Sequence, residues 1–339
     1  MSTGPARRRP RLEDVAAEVG LSTGTVSLVL NGAPGPSTAT KERVLAAAAA
    51  LGYRTDRTAA RLARRRARLI GVSLDVRSTF HADLAAHLQD AAEAAGYDVL
   101  LSSITATRDS RRAVETLLDS RCEALVLLGP DQSTSRLDDL GGQLPVVVVG
   151  RRLGSRSLDV VRSADDVGVE AVVDHLAGLG HRDIVFVDGG RGTIATDRRS
   201  GYRRGMRGRG LQDHVRVLTG GESEEAGLRA AEAMLDEGPL PTAVATFNDR
   251  VALGLLGGLL RAGVSVPEDV SLVGYDDSPS AQLPHVDLTT VSQDTRLQAE
   301  SAVRAALERL DDGRTTPSEV VLAPRLVVRR TTAPAHSGR

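Results

Sequence analysis

LEDVAAEVGLSTGTVSLVLNG, residues 12–32, decides how this chain is read. Leu12, Val15, Ala16 and Val19 recur at helical spacing, Gly20 permits a tight turn, and Ser22 is placed to cap a second helix through a backbone N–H. In that second helix Val26, Val29 and Leu30 form the inward face, which leaves Thr23, Gly24, Thr25, Ser27 and Leu28 outside. A helix with small polar residues at its exposed N-terminal end suits entry into the major groove of duplex DNA. An ordinary helical hairpin inside a larger core has the same pattern, so the flanking residues have to decide between them.

Charge decides. Residues 1–68 hold thirteen Lys/Arg and five acids, a net +8, whereas the whole chain is −1 and the remainder therefore −9. A basic module attracts phosphate and releases counterions, while an acidic remainder is not held on DNA by its own charge. Residues 1–10 read as a basic, disordered tail. PGPS (34–37) breaks the chain, Ser37 caps a third helix with an apolar face of Val44, Leu45, Ala48 and Leu51, and Gly52 ends it. TDRTAARLARRR (55–66) fits a short basic helix with too few large apolar groups to be stable alone. The expected domains are a helix–turn–helix unit at 11–54, a hinge helix at 55–66, a larger unit at 67–330 and a disordered tail at 331–339.

At 339 residues and 41% hydrophobic content, the chain has room for a small module and one or two α/β units. It has no membrane-spanning apolar run, and Arg7 to Arg11 is not followed by a signal-peptide core, so the cytoplasm is the expected compartment. The single cysteine, Cys122, excludes an internal disulfide and a cysteine-based zinc cluster. The seven histidines are scattered without metal-ligand spacing, and neither a metal nor a cofactor is expected. There is no GxGxxG or HExxH, and the one GxSxG spacing, GLSTG (20–24), lies between two helices and not at a strand-to-helix turn, which argues against a dehydrogenase or a hydrolase. A secreted solute receptor would need an export signal and no helix–turn–helix.

From Leu69 the texture alternates between apolar strands (LIGVSLD, YDVLLSSI, EALVLLG, PVVVVG, DIVFVDGG, TAVATFND, DVSLVGYDD) and amphipathic helices. This argues for parallel sheets covered on both faces, in two similar subdomains. Ligands in such sheets bind outside the carboxyl ends of the strands. That rule gathers Asp75 to Phe80, Gly150 to Arg151, Asp188 to Arg198, Phe247 to Asp249 and Tyr275 to Asp277 around one cleft. His81 is the one histidine within reach of it. GGRGT (189–193) reads as a turn whose glycines allow close backbone approach.

DVAAEVGLSTGTVSLVLNG, RVLAAAAALGY, LIGV, HLAGLGHRDIVFVDG, RRSGYRRGM, FNDRVALG, VPEDVSLVGYDD and LTTVSQD stand in one order across residues 11–330. In this the chain resembles the lactose-repressor (LacI/GalR) family of bacterial transcription regulators. The resemblance implies a three-helix DNA-binding domain, a hinge helix, and a two-lobed α/β effector domain of the periplasmic-binding-protein type. The chain would cross between lobes near 165–168, 290–296 and 322–325. It implies a homodimer, not an enzyme, that binds a pseudo-palindromic operator under control of a small effector, a sugar, sugar derivative or nucleoside. A repressor is the first expectation, with an activator or an effector-independent regulator as the alternative.

Residue by residue, Thr23, Gly24 and Leu28 match base-reading positions, and Ser22, Thr25, Ser27 and Asn31 phosphate-contacting ones. Tyr53, Arg57 and Ala59 join the DNA-facing set, and Leu62 matches a leucine wedged into the minor groove. Leu28 stands where arginine is common, which favours contact with a thymine methyl over guanine. Arg198, Asn248 and Asp276 match effector ligands, with Phe80, Arg151 and Phe247 as cleft residues. Glu222 replaces a common stacking aromatic, which points to a more polar effector or an amine. Plain structural uses stay open: Asp276 as a loop cap, Asn248 as the cap of the helix from Asp249, Arg198 as a solvated side chain.

Overall fold

A computed structural model describes residues 10–30, 33–53 and 66–335. It divides into two compact units, one ending at Ala67 and one beginning at Arg68. The expected basic tail up to residue 9, Asn31, and the hinge with Arg57, Ala59 and Leu62 lie outside the described residues.

The first unit is three helices: α1 (Leu12–Val19), α2 (Thr23–Leu30) and α3 (Thr38–Leu51). Local chemistry sets their ends. The Asp14 carboxylate accepts the Arg11 N–H at 2.7 Å, and Gly20 takes a left-handed φ of 66° after α1. Ser22 Oγ accepts from the Thr25 N–H at 3.1 Å and Ser37 Oγ from the Thr40 N–H at 3.3 Å. Each such cap satisfies an N–H that the first turn of a helix leaves orphaned. Val15, Ala16, Val19, Val26, Val29, Val44 and Ala48 form the core, with Tyr53 packed at its edge. Arg43 ties α3 to α1 by donating to the Val19 carbonyl at 2.8 Å. One expectation fails: Leu45 is exposed. Val44, Ala48 and Leu51 lie on one stripe, and a neighbour one residue on is turned about 100° away from it.

The second unit has two lobes. In the first, a parallel sheet has the order β11-β5-β4-β3-β1-β2, with β1 Leu69–Asp75, β2 Asp98–Ile104, β3 Ala124–Leu128, β4 Val146–Val149, β5 Asp159–Ser163 and β11 Glu319–Leu322. Helices α4 (Thr79–Ala94), α5 (Ser110–Asp119) and α6 (Thr134–Gly141) connect its strands. Its inner strands are buried almost throughout, as a sheet covered on both faces requires. The second lobe has the parallel order β7-β6-β8-β9, with β6 Ile184–Val187, β7 Arg216–Leu218, β8 Ala243–Thr246 and β9 Ser271–Val273. Around it lie α7 (Asp165–Gly178), α8 (Thr193–Gly208), α9 (Glu224–Glu237) and α10 (Asp249–Arg261).

The chain passes between lobes from β5 to α7, then from β10 (Thr290–Ser292) to α11 (Thr295–Leu310), then from β11 to β12 (Arg325–Val327), which pairs antiparallel with β10. Ala299, Ala302 and Val303 of α11 belong to the first lobe's core, together with Ile70 and Val126. In the second lobe, the Tyr202 hydroxyl donates to the Ile184 carbonyl at 2.7 Å and accepts the Arg216 N–H at 3.0 Å, locking β6 to β7. The preceding Gly201 has no room for a side chain, because a Cβ there would lie 2.2 Å from the Asp166 carbonyl oxygen of α7.

The tail corrects a second expectation. Thr331 to Ala335 are not disordered: Leu272 N–H donates to the Thr331 carbonyl at 2.7 Å, His181 Nε2 lies 3.0 Å from the Ala333 oxygen, and Ala335 N–H donates to Leu179 at 2.8 Å. The outer strand β9 offers unpaired backbone groups, and this segment satisfies them. Residues 336–339 lie outside the described residues.

Candidate functional site

Within the second unit, a cavity of about 300 Å³ opens between the two lobes at the carboxyl ends of their strands. The second lobe supplies its most charged wall. Arg198, on α8, is 4% exposed. Its Nε donates to Asp165 Oδ1 at 2.9 Å, its Nη1 donates to the Phe247 carbonyl, and its Nη2 lies 3.6 Å from Asp276 Oδ1. The guanidinium also sits against two rings, 3.7 Å from the Tyr275 centroid and 4.7 Å from that of Phe247. Burial works against the charge on Arg198, but Asp165 and Asp276 together push its pKa up. The Phe247 ring is seated over Gly189, where a Cβ would lie 2.4 Å from it. This is the close approach expected of the glycine turn.

Asp276 adopts a φ of 116°, a region L-residues avoid. Its Oδ1 accepts from Gln293 Nε2 at 2.7 Å. Burial pushes its pKa up to about 8; Arg198 opposes this and the nearby Asp249 adds to it. Asp249, bound by Thr290 Oγ1 at 2.5 Å and by the Ser278 N–H at 2.7 Å, is likewise pushed up to about 6 by burial. The one Arg198 guanidinium is shared by the Asp165 and Asp276 carboxylates, while Asp249 is held by the Thr290 hydroxyl and the Ser278 N–H. Asn248 lines the cavity while capping α10: its Oδ1 accepts the Val251 N–H at 2.9 Å and its Nδ2 donates to the Glu222 carbonyl at 3.2 Å.

The first lobe contributes Asp75, Arg77, Phe80 and His81. Burial works against charge on Asp75, but the bidentate Arg77 guanidinium, at 2.9 and 2.6 Å, holds its carboxyl below the ordinary range. His81 Nδ1 accepts the Asp75 N–H at 3.2 Å, which fixes the hydrogen on Nε2. Burial depresses its pKa to about 4, so the ring is neutral near pH 7.

The cavity thus brings together Phe80, Arg198, Phe247, Asn248 and Asp276. Arg151 lies outside its lining, and its Nη1 donates instead to the Pro130 and Gln132 carbonyls at 2.6 and 3.2 Å. Sequence reasoning missed Asp165, Gln293 and Arg250. The first two lie within two residues of the ends of strands β5 and β10, which is the signal the carboxyl-end rule offers. In the first unit, Ser22, Thr23, Gly24 and Leu28 stand exposed along α2, Leu28 at 47%, and Thr25 and Ser27 are half-buried.

Residues 11–56 match the family "bacterial regulatory proteins, lacI family", and residues 173–332 match a periplasmic binding protein-like domain. The HTH-type transcriptional regulator CelR of Thermobifida fusca is 31% identical over 336 residues, covering 95% of this chain and 98% of that one. The chain belongs to the LacI family of bacterial transcriptional regulators. Among solved structures, the lac repressor dimer bound to operator and the anti-inducer ONPF superposes on this LacI-family regulator with a TM-score of 0.81. That match has 30% identity and covers 96% of this chain and all of the other. The complex of CelR with cellobiose gives 0.69 at 29% identity, covering 95% of this chain and all of that one. Among the described residues, no helix is long and apolar enough to cross a membrane.

Proposed function

We propose that this LacI-family regulator is a cytoplasmic repressor that binds a pseudo-palindromic operator as a homodimer, its affinity set by a small polyhydroxylated effector in the interlobe cavity. The observation that carries this reading is the Arg198–Asp276 pair, a cation and an acceptor held rigidly at the mouths of two strands. Arg198 has its Nε and Nη1 committed to Asp165 and Phe247, which leaves Nη2 to donate to a ligand. Asp276 supplies the complementary acceptor, and the Phe80 and Phe247 rings supply apolar walls. Polar groups fixed by the protein and set against apolar walls are how a site of this size orients hydroxyls.

On the DNA side, Thr23 and Leu28 of α2 read base edges, and Ser22, Thr25 and Ser27 meet phosphate. Residues 55–66, with Arg57 and Leu62, join reader to sensor. The lac repressor bound to operator and the CelR–cellobiose complex support the two halves of the reading. The test is titration of an operator duplex with and without members of a sugar panel. An effector is expected to change operator affinity by about 5- to 150-fold, the usual range of coupling between two sites. Unchanged affinity with every sugar would contradict effector control.

A further inference from the structure

Charge bookkeeping at the cavity wall distinguishes groups already bound by the protein from groups left open. All three guanidiniums at the wall are bound: Arg77 by Asp75 at 2.6 Å, Arg198 by Asp165 at 2.9 Å, and Arg250 by Glu224 at 2.5 Å. Asp131 accepts from the Ser110 hydroxyl, and Asp276 from Gln293. Two polar groups have no such commitment among the described residues. One is the Glu222 carboxylate, which makes neither a hydrogen bond nor an ion pair; only its backbone carbonyl is used, by Asn248. The other is Nε2 of His81, whose hydrogen is fixed there because Nδ1 accepts from Asp75.

We propose that the effector is a polyhydroxylated molecule carrying a protonated amine, its ammonium set against Glu222 and one of its oxygens accepting the Nε2 hydrogen of His81. The inference rests on the effector reading above and names the chemical class of that effector. A neutral hydroxyl can hydrogen-bond to a carboxylate but leaves it without a direct ionic partner where water is displaced; an ammonium supplies that partner and forms the stronger, charge-assisted bond. Burial pushes the Glu222 pKa up; the Arg198 guanidinium opposes this ahead of the smaller push from Asp75, and Arg250 and Arg77 oppose it too, but each of these three guanidiniums is spent on another carboxylate and none bonds Glu222. A phosphorylated or carboxylated ligand finds at the wall no guanidinium whose charge is not already paired with a protein carboxylate. His81, being neutral, contributes affinity without regard to ligand charge.

The test uses the full chain and matched probes: glucose with glucosamine, galactose with galactosamine, and glucose with 1-deoxynojirimycin, titrated calorimetrically and in the operator assay. In at least one pair the amine-bearing member should bind at least about tenfold more tightly. Glu222→Gln, a substitution of nearly equal shape, should reduce that preference to within about twofold. His81→Phe should weaken both members of the pair by a similar factor. Equal or tighter binding of the neutral sugars, or an amine preference that survives Glu222→Gln, overturns the proposal. If neutral sugars bind and alter operator affinity, effector control stands and the amine assignment falls; if no probe of either kind binds or alters operator affinity, both fall.

Discussion

On α2, Thr23, Gly24 and Leu28 stand in solvent, supported only by a cap at Ser22 and a small valine-rich core beneath. In the cavity, Arg198 carries a full charge, is almost wholly enclosed, and is fixed by two carboxylates, a carbonyl and two aromatic rings. The difference follows from the partner. A groove in duplex DNA is a large surface that supplies its own order and counter-charges, so the reading face need only be exposed and correctly spaced. A small ligand cannot pay for ordering a loose site, so its wall is arranged beforehand by the protein. Substitutions on α2 should therefore act on binding and spare the fold, and substitutions at Arg198 should act on both.

The largest effect is expected at Arg198→Met. It leaves Asp165 and Asp276 buried without their cation, a change that typically costs about 3–5 kcal/mol. Urea unfolding should show it, and a loss below about 1 kcal/mol would mean that the charge cluster is not the rigid element described here. Leu28→Glu should come next. It should weaken operator binding by about 1–3 kcal/mol, the usual worth of a base contact, while leaving unfolding within about 0.5 kcal/mol of the parent because the side chain is exposed. A large stability loss there would erase the contrast between the two regions.

A third effect concerns pH. Asp276 has a folded pKa of about 8 against an ordinary 3.8. The folded state therefore holds that proton more tightly than the unfolded chain. The stability this confers is present below about pH 4 and is lost as pH rises through 8. Asp276→Asn removes the loss, so its unfolding midpoint relative to the parent should climb between pH 5 and 8 while its effector response disappears. Parallel profiles for the two proteins would place the titration elsewhere.

The reading head is legible in the sequence because its determinants are local. Ser22, Ser37, Gly20 and Gly52 set its helix ends within a few residues of themselves. Leu45 misled because adjacent helical side chains point about 100° apart, and only the packing of α3 against its two neighbours selects Val44 over Leu45. In the sensor, strands and carboxyl-end loops are legible, and with them Arg198, Phe247 and Asp276. Asp165 follows β5 as that rule requires, but its bond to Arg198 joins the first turn of α7 to α8, 33 residues apart, and no local pattern records it. The short edge strands β7 and β12 carry too few residues to show a period. Polar, proline-containing composition made 331–335 look like a loose end; backbone groups of β9 that no side-chain pattern records hold it in place.

The central claim is that a helix–turn–helix reader at the front of this chain recognises a defined duplex. Selection of bound duplexes from a random pool by the full chain, followed by titration of the enriched site against its scrambled version at one salt concentration, tests it most directly. The account predicts a two-fold-related half-site sequence bound at least about a thousandfold more tightly than the scrambled duplex. A pool that does not enrich, or equal affinity for the two duplexes, would contradict it.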